Sequence, residues 1–425
     1  MHISLPYGTD TQSAEVPWGT FLPTLDVAEC PLPADLDAHI RDALGRPIGL
    51  DRPLTAAARP GDRVVIIVSD SFRRTRIERV LPHLLEGLAA SGVRERDISF
   101  VFATGSHRPP TAGEQERILG REVYARFGER AHPHDPRDEA NLVHVGTTSR
   151  GTPVRLNRRA VEADCLIVTG AVVFHYFGGF GGGRKAILPG VAAIDTISHN
   201  HAMNLDPVSD QLNPAVRIGA LDGNPVAEDM LEGSRLARCA GIVNTVLDRR
   251  GEIAGVFAGE LDAAHRAACE MARSLYAAPI DERADLVIAS SGPTKNYVQT
   301  HKALYNAYQA VKPEGRIILL ARCEEGLGGE QFAQWVRLGS REAIIAALRR
   351  RSEINGQTAL STVEKAPIAV MVTDMAEADV RLLGARKAGS LSEALEMVRP
   401  ELPGAPVVRL MPSAAYTAAL FEETG

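Results

Sequence analysis

Short β-rich runs alternate with helix-patterned stretches along nearly the whole chain, and this alternation limits the fold more than any other feature. RVVIIV (63–68) and ISFVFATG (98–105) each lead into a polar loop and then a helical pattern, while CLIVTGAVV (165–173) leads into a glycine-rich loop. LVIASS (286–291), RIILLA (316–321) and IAVMV (368–372) alternate in the same way with helix-like stretches at 300–311, 340–351 and 391–399. Strand, helix and strand in succession predict parallel sheets with helices on their faces. Ligands of such sheets gather beyond the carboxyl ends of the strands. At 425 residues the chain exceeds one ordinary core, so two domains are expected. The polar, proline-bearing segment SLYAAPIDERAD (274–285) is the natural break. The expected fold is α/β, with one domain over 1–277, a second over 278–410, and the tail 411–425 packing on the first.

Composition removes several functional classes. A net charge of −6 offers no basic footprint for nucleic acid. No apolar run approaches the roughly 18 residues of a membrane span. MHISLPYGTD lacks the charged and apolar regions of a secretory leader. The five cysteines (30, 165, 239, 269, 323) are scattered and form no CxxC pair. That excludes a disulfide framework and a cysteine-built zinc site, and fits a reducing cytoplasm.

Of 47 basic residues only six are lysine, at 185, 295, 302, 312, 365 and 387. A chain that uses arginine for charge keeps lysine where an amine must lose its proton and react. Lys185 sits in Phe174-His175-Tyr176-Phe177-Gly178-Gly179-Phe180-Gly181-Gly182-Gly183-Arg184-Lys185. The glycines allow close backbone approach and can turn N–H groups toward an anion. The segment matches neither the P-loop nor the GxGxxG pattern, which counts against a freely dissociating NAD cofactor. Ser198-His199-Asn200-His201 follows. Histidines two apart diverge on a helix, so one of the pair is a candidate metal ligand. Gly105-Ser106-His107-Arg108-Pro109 follows a strand, where a histidine suits acid/base work. Asp70 with Arg73, Arg74 and Arg76 follows another, and the arginines could clamp an anion. Ser290 to Lys302 forms a second cationic cluster after a strand of the second domain, which suggests a ligand held between domains.

Taken in order, Asp70…Arg73, the GSHRP loop, HYFGGFGGGRKAILPG, His201, Gly223-Asn224-Pro225, Gly259…His265, Gln299…Lys302 and Cys323…Gly326 resemble the nickel-dependent lactate racemase family. The resemblance covers most of the chain. It implies two α/β domains with the active site between them, and a nickel-pincer nucleotide, pyridinium-3,5-bisthiocarboxylic acid mononucleotide nickel. It further implies a thioamide link from that cofactor to Lys185, with His201 as the metal ligand. Asp70, Gly181, Gly182 and Gly183 would serve cofactor binding, the glycines by receiving the phosphate. His107 and His175 would be the acid/base pair of a racemase or epimerase. Such an enzyme inverts the Cα of a 2-hydroxy acid by reversible hydride transfer through a 2-keto acid. Arg73, Lys302 and Gln299 would hold the substrate. The implied partners are a small 2-hydroxy acid and the enzymes that mature the cofactor.

Val298 and Lys295 stand where many members carry tyrosine and aspartate, and Arg74 follows Arg73 where a smaller residue is common. The surplus positive charge leads to an expected substrate larger or more polar than lactate, such as a dicarboxylate or sugar acid. The alternatives are a lactate racemase proper, or a non-catalytic nucleotide-binding protein that keeps the fold.

Overall fold

The computed structural model describes residues 1–421. It divides into two compact units, one of residues 29–275 and one of residues 1–28 with 276–421.

The 29–275 unit is built on a six-stranded sheet. Its strand order is Ile253–Gly259, Gly241–Leu247, Cys165–Ala171, Val64–Ser69, Ile98–Ala103, Ala131–Pro133. All neighbours run parallel except Ile253–Gly259, which returns antiparallel to Gly241–Leu247. The predicted strands at 63–68, 98–105 and 165–173 form the middle of this sheet. Their near-continuous apolar runs fit strands covered on both faces. Val64, Ile66 and Val68 point to one side, where they join Phe100, Phe102 and the buried face of the Leu81–Ala90 helix. Phe100 is fully buried and meets Phe127 edge-on, with the ring centroids 5.5 Å apart.

The other unit has a six-stranded sheet in which every pairing is parallel. Its order is Arg386–Ala388, Ala369–Val372, Val311–Leu320, Ala284–Ser290, Val407–Met411, Thr20–Phe21. The Leu391–Val398 helix lays Leu391, Ala394, Leu395 and Val398 on one face of it, the spacing of an apolar helical stripe.

The division differs from the expected one at both chain ends. Residues 1–28 belong with the C-terminal sheet, because Ile3, Leu5 and Tyr7 are buried against Leu286 and Ile318 and because Thr20–Phe21 extends that sheet. The tail belongs there too, since Ala418–Phe421 pairs in parallel with Ala277–Ile280. A short terminal strand carries no helix-length pattern, so sequence periodicity does not assign it to a sheet. Residues 422–425 lie outside the described residues. Among the described residues no helix is long and apolar enough to cross a membrane.

Truncating Phe100 to alanine removes a ring that has no room to be replaced by water. Phe100→Ala is expected to destabilise the 29–275 unit by about 3–5 kcal/mol. Equilibrium urea unfolding measures it, and a loss below about 1 kcal/mol would show that this aromatic pair does not anchor the core.

Candidate active site

In the 29–275 unit the chain begins its sheet at the centre with Val64–Ser69, moves outward through Ile98–Ala103 and Ala131–Pro133, then reverses to Cys165–Ala171 on the other side. A reversal of this kind marks the carboxyl ends of the two central strands as the place where doubly wound sheets bind ligands, in the crevice beyond them. Asp70, His107 and the 174–190 loop all follow strands that end there.

Asp70, the residue after the central strand, is completely buried. Its carboxylate accepts from Arg73 Nη1 at 3.1 and 3.2 Å and meets His107 Nδ1 at 2.6 Å. The Phe72 backbone N–H adds a further bond at 3.1 Å. Burial opposes the charged form, but the Arg73 charge and the His107 hydrogen bond together hold the carboxyl below its ordinary range. An ionised Asp70 only accepts, so His107 donates from Nδ1, and the neutral ring in that orientation carries its lone pair on Nε2. Phe72 packs edge-on against the His107 ring, centroids 5.0 Å apart.

Arg74 and Arg76 do not join this cluster. Both pair with Glu252, at 4.0 and 2.9 Å, and Arg74 is half exposed. The expected three-arginine clamp therefore reduces to Arg73. Three neighbouring arginines on a turn project in different directions, which spacing alone does not resolve.

The GSHRP loop and the glycine loop are joined directly, because the Gly105 N–H donates to the Gly190 carbonyl at 2.9 Å. Within the glycine loop Lys185 is buried in a short 3₁₀ turn, Gly183–Ala186. Its Nζ lies 3.2 Å from His175 Nε2 and 4.9 Å from the centroid of the Phe177 ring. The Gly178 N–H donates to His175 Nδ1 at 3.2 Å. Phe177 also meets the His201 ring edge-on, 4.7 Å between centroids.

The Ile194–Ala202 helix separates its two histidines, with His199 exposed and His201 buried. Burial pushes the His201 imidazole down to about 3, so it is neutral at ordinary pH. Its Nδ1 lies 3.1 Å from Asn200 Oδ1. The Asn200 amide is oriented by donating to the Val226 carbonyl and to buried Asp229, at 3.1 and 2.9 Å. The neutral His201 ring therefore carries its proton on Nδ1 and its lone pair on Nε2. Asn200 and Asp229 escape sequence reasoning, although an asparagine flanked by histidines was in view.

Two of the three glycines expected to receive a phosphate have their N–H groups engaged within the protein. The Gly181 N–H is taken by the Val173 carbonyl at 2.8 Å and the Gly183 N–H by Asn244 Oδ1 at 3.0 Å. Close packing accounts for the glycine at 183, where a Cβ would stand 2.6 Å from the His265 ring. Buried His265 accepts from Arg184 Nη1 at 3.0 Å and donates from Nε2 to the Gly181 carbonyl at 2.8 Å. Asn244 was legible only as a polar residue inside the apolar run GIVNTVL.

In the other unit, Gln299 and Lys302 lie on the Tyr297–Ala310 helix, which follows the Ala284–Ser290 strand. Asn296 caps that helix through the Gln299 N–H at 3.2 Å, and Gln299 Oε1 accepts from the Lys295 N–H at 3.2 Å.

The family model of the lactate racemase N-terminal domain matches residues 7–211, and that of the lactate racemase C-terminal domain matches 280–412. A lactate racemase of Thermoanaerobacterium thermosaccharolyticum is 34% identical over 302 residues, 70% of this chain and 68% of the relative. The chain belongs to the lactate racemase family. It is accordingly an isomerase, which sets aside the non-catalytic reading. The lactate racemase of Lactiplantibacillus plantarum is 35% identical over 297 residues, 69% of this chain and 68% of its own. The solved lactate racemase apoprotein from T. thermosaccharolyticum is 28% identical with a TM-score of 0.88, and each chain is covered in full. A solved Thermotoga maritima protein, 17% identical, shares the fold alone, with a TM-score of 0.67 over 90% of this chain and 97% of its own.

The brace beneath the glycine loop has a pH signature. Burial pushes His265 down to about 3, whereas the unfolded imidazole titrates near 6.5. Between those values the unfolded chain binds the extra proton, so this group's stability is complete above about pH 6.5 and falls toward pH 3. The slope is about 1.4 kcal/mol per pH unit. His265→Asn should flatten the acid limb of a stability-against-pH curve by that amount; an unchanged slope would mean the imidazole is not held neutral.

Proposed function

We propose that this racemase interconverts the enantiomers of lactate, using His107 and His175 as its acid/base groups, Lys185 as a covalent cofactor anchor and His201 as a nickel ligand. The observation that carries the reading is the Asp70–His107 pair at the crevice. A carboxylate buried behind Nδ1 aims the Nε2 lone pair at a substrate hydroxyl, as a general base requires. Arg73 shares that carboxylate and keeps 42% of its side chain exposed, placing a guanidinium beside the base for the substrate carboxylate. Inverting a stereocentre calls for a second proton-transfer group on the opposite face, and His175 on the neighbouring loop is the candidate. Gln299 and Lys302 are proposed to bind substrate on the strength of the resemblance.

The donor set fits a nickel-pincer nucleotide. Among the described residues no group of three or more His, Cys, Asp or Glu could hold a metal by itself. A lone neutral imidazole therefore suits an ion whose other donors belong to an organic ligand, and imidazole with sulfur suits nickel. His201 would hold the metal and Lys185 the organic part, and the group would supply a hydride acceptor when bound. The enzymes that mature such a cofactor are the proposed partners.

Lactate is favoured over a larger hydroxy acid for two reasons. Both curated relatives are lactate racemases. Arg74, one of the charges that argued for a larger substrate, is matched by Glu252.

Two tests follow from this reading. Protein co-expressed with cofactor-making enzymes should contain nickel, which His201→Ala loses and exposed His199→Ala retains; metal analysis giving the reverse would overturn the ligand assignment. In a panel of lactate, malate, 2-hydroxyglutarate, phenyllactate and gluconate followed by chiral chromatography, lactate should lead in kcat/KM by about tenfold or more, which is about 1.4 kcal/mol of transition-state discrimination. Another acid leading by that margin would return the substrate to the larger class.

A further inference from the structure

The hydrogen bonds around His175 fix more than its position. A backbone N–H can only donate, so the Gly178 bond to Nδ1 at 3.2 Å makes that nitrogen the acceptor. A neutral imidazole then carries its proton on Nε2, and Nε2 lies 3.2 Å from Lys185 Nζ. An ammonium has three donors and no acceptor. Facing Nε2–H, it would set donor against donor. The Phe177 face, 4.9 Å from Nζ, accommodates an N–H of amine or ammonium and does not decide the matter. The polarity of the Gly178 amide does.

We infer that in the unloaded chain Lys185 is held as a neutral, nucleophilic amine by the Nε2–H of His175, and that acylation of this amine releases His175. The inference gives His175 a role before catalysis, and its use in cofactor loading rests on the function proposed above. In the acylation the amine lone pair attacks the carbonyl or thiocarbonyl carbon of an acyl donor. A C–N bond forms, the bond from that carbon to the leaving group breaks, and the leaving group departs with the proton that nitrogen loses. No redox change occurs. The nitrogen of the resulting amide or thioamide has its lone pair delocalised and offers only an N–H. It can no longer accept from Nε2–H, so the contact that ties the imidazole to Lys185 is lost. An unloaded chain thus keeps one of its two proposed acid/base groups engaged, and the attachment that supplies the cofactor also frees it.

The site sits among buried groups, with Lys185 at 7% exposure. Burial itself favours the uncharged amine. Lys312 offers an internal comparison, since its side chain is 39% exposed and paired with Asp285 at 2.9 Å, as an ammonium should be.

The test uses apoprotein made without the cofactor pathway, treated near neutral pH with a limiting amount of acetic anhydride and read by peptide mass spectrometry. Lys185 should be acetylated at least tenfold faster than Lys312 despite its burial. His175→Phe, which keeps a ring but no N–H, should abolish that advantage, and His175→Gln, which keeps a donor, should restore part of it. Lys185 lagging behind Lys312 in the wild-type chain would overturn the inference, as would an undiminished advantage in His175→Phe. Failure of the loading reading looks different: Lys185 would then be reactive in the apoprotein, yet remain unmodified in active enzyme purified after co-expression.

Discussion

The buried carboxylate of Asp70 is the constraint on which the crevice depends. It has no exposure to water, and an isolated charge there would cost several kcal/mol. It is tolerated because Arg73, His107 and the Phe72 N–H converge on it. Each of those bonds also does something outward. Arg73 is held beside the carboxylate with part of its side chain exposed, and His107 is oriented through Nδ1. A ring turned by a carboxylate on Nδ1 has only one nitrogen left for chemistry.

The second loop uses backbone polarity to the same end. The Gly178 N–H sets the His175 ring, Asn244 and His265 hold the glycines, and Arg184 ties His265 to the Gly178 carbonyl. The glycines are needed for proximity: at Gly179 a Cβ would stand 2.0 Å from the Ala220 carbonyl oxygen, and its φ is +72°. The Gly178, Gly181 and Gly183 N–H groups all bond within the protein, so this part of the loop is packed from within. The two loops are joined by the bond between Gly105 and Gly190. Three imidazoles are thus set by three different partners: a carboxylate for His107, a backbone amide for His175 and a side-chain amide for His201.

Much of this was legible in the sequence because it rests on local pattern. The apolar runs at 63–68, 98–105 and 165–173 located the central strands, and a residue at the end of such a strand is already at the crevice. Two histidines spaced i, i+2 on a helix diverge, and His199 and His201 do so. The scarcity of lysine singled out Lys185. What the sequence withheld depends on direction and on distant partners. Whether Arg74 turns toward Asp70 or toward Glu252 is settled by a turn residue nearly 180 positions later. A glycine-rich loop reads alike whether its N–H groups face an anion or, as here, Val173 and Asn244. The N-terminal segment joined the other sheet for the same reason: Ile3, Leu5 and Tyr7 have an apolar face, but pattern does not say which core receives it.

The account rests on Asp70 setting His107, and one substitution addresses that link directly. Asp70→Asn keeps the shape of the side chain, but its amide no longer supplies the charge that holds the Nδ1–H tautomer. In loaded enzyme assayed with each enantiomer of lactate, kcat should fall at least ~10²-fold in both directions, the usual worth of a positioned acid/base group. Nickel content and the Lys185 adduct should be retained. A variant with both intact and with near-normal turnover would contradict the central claim.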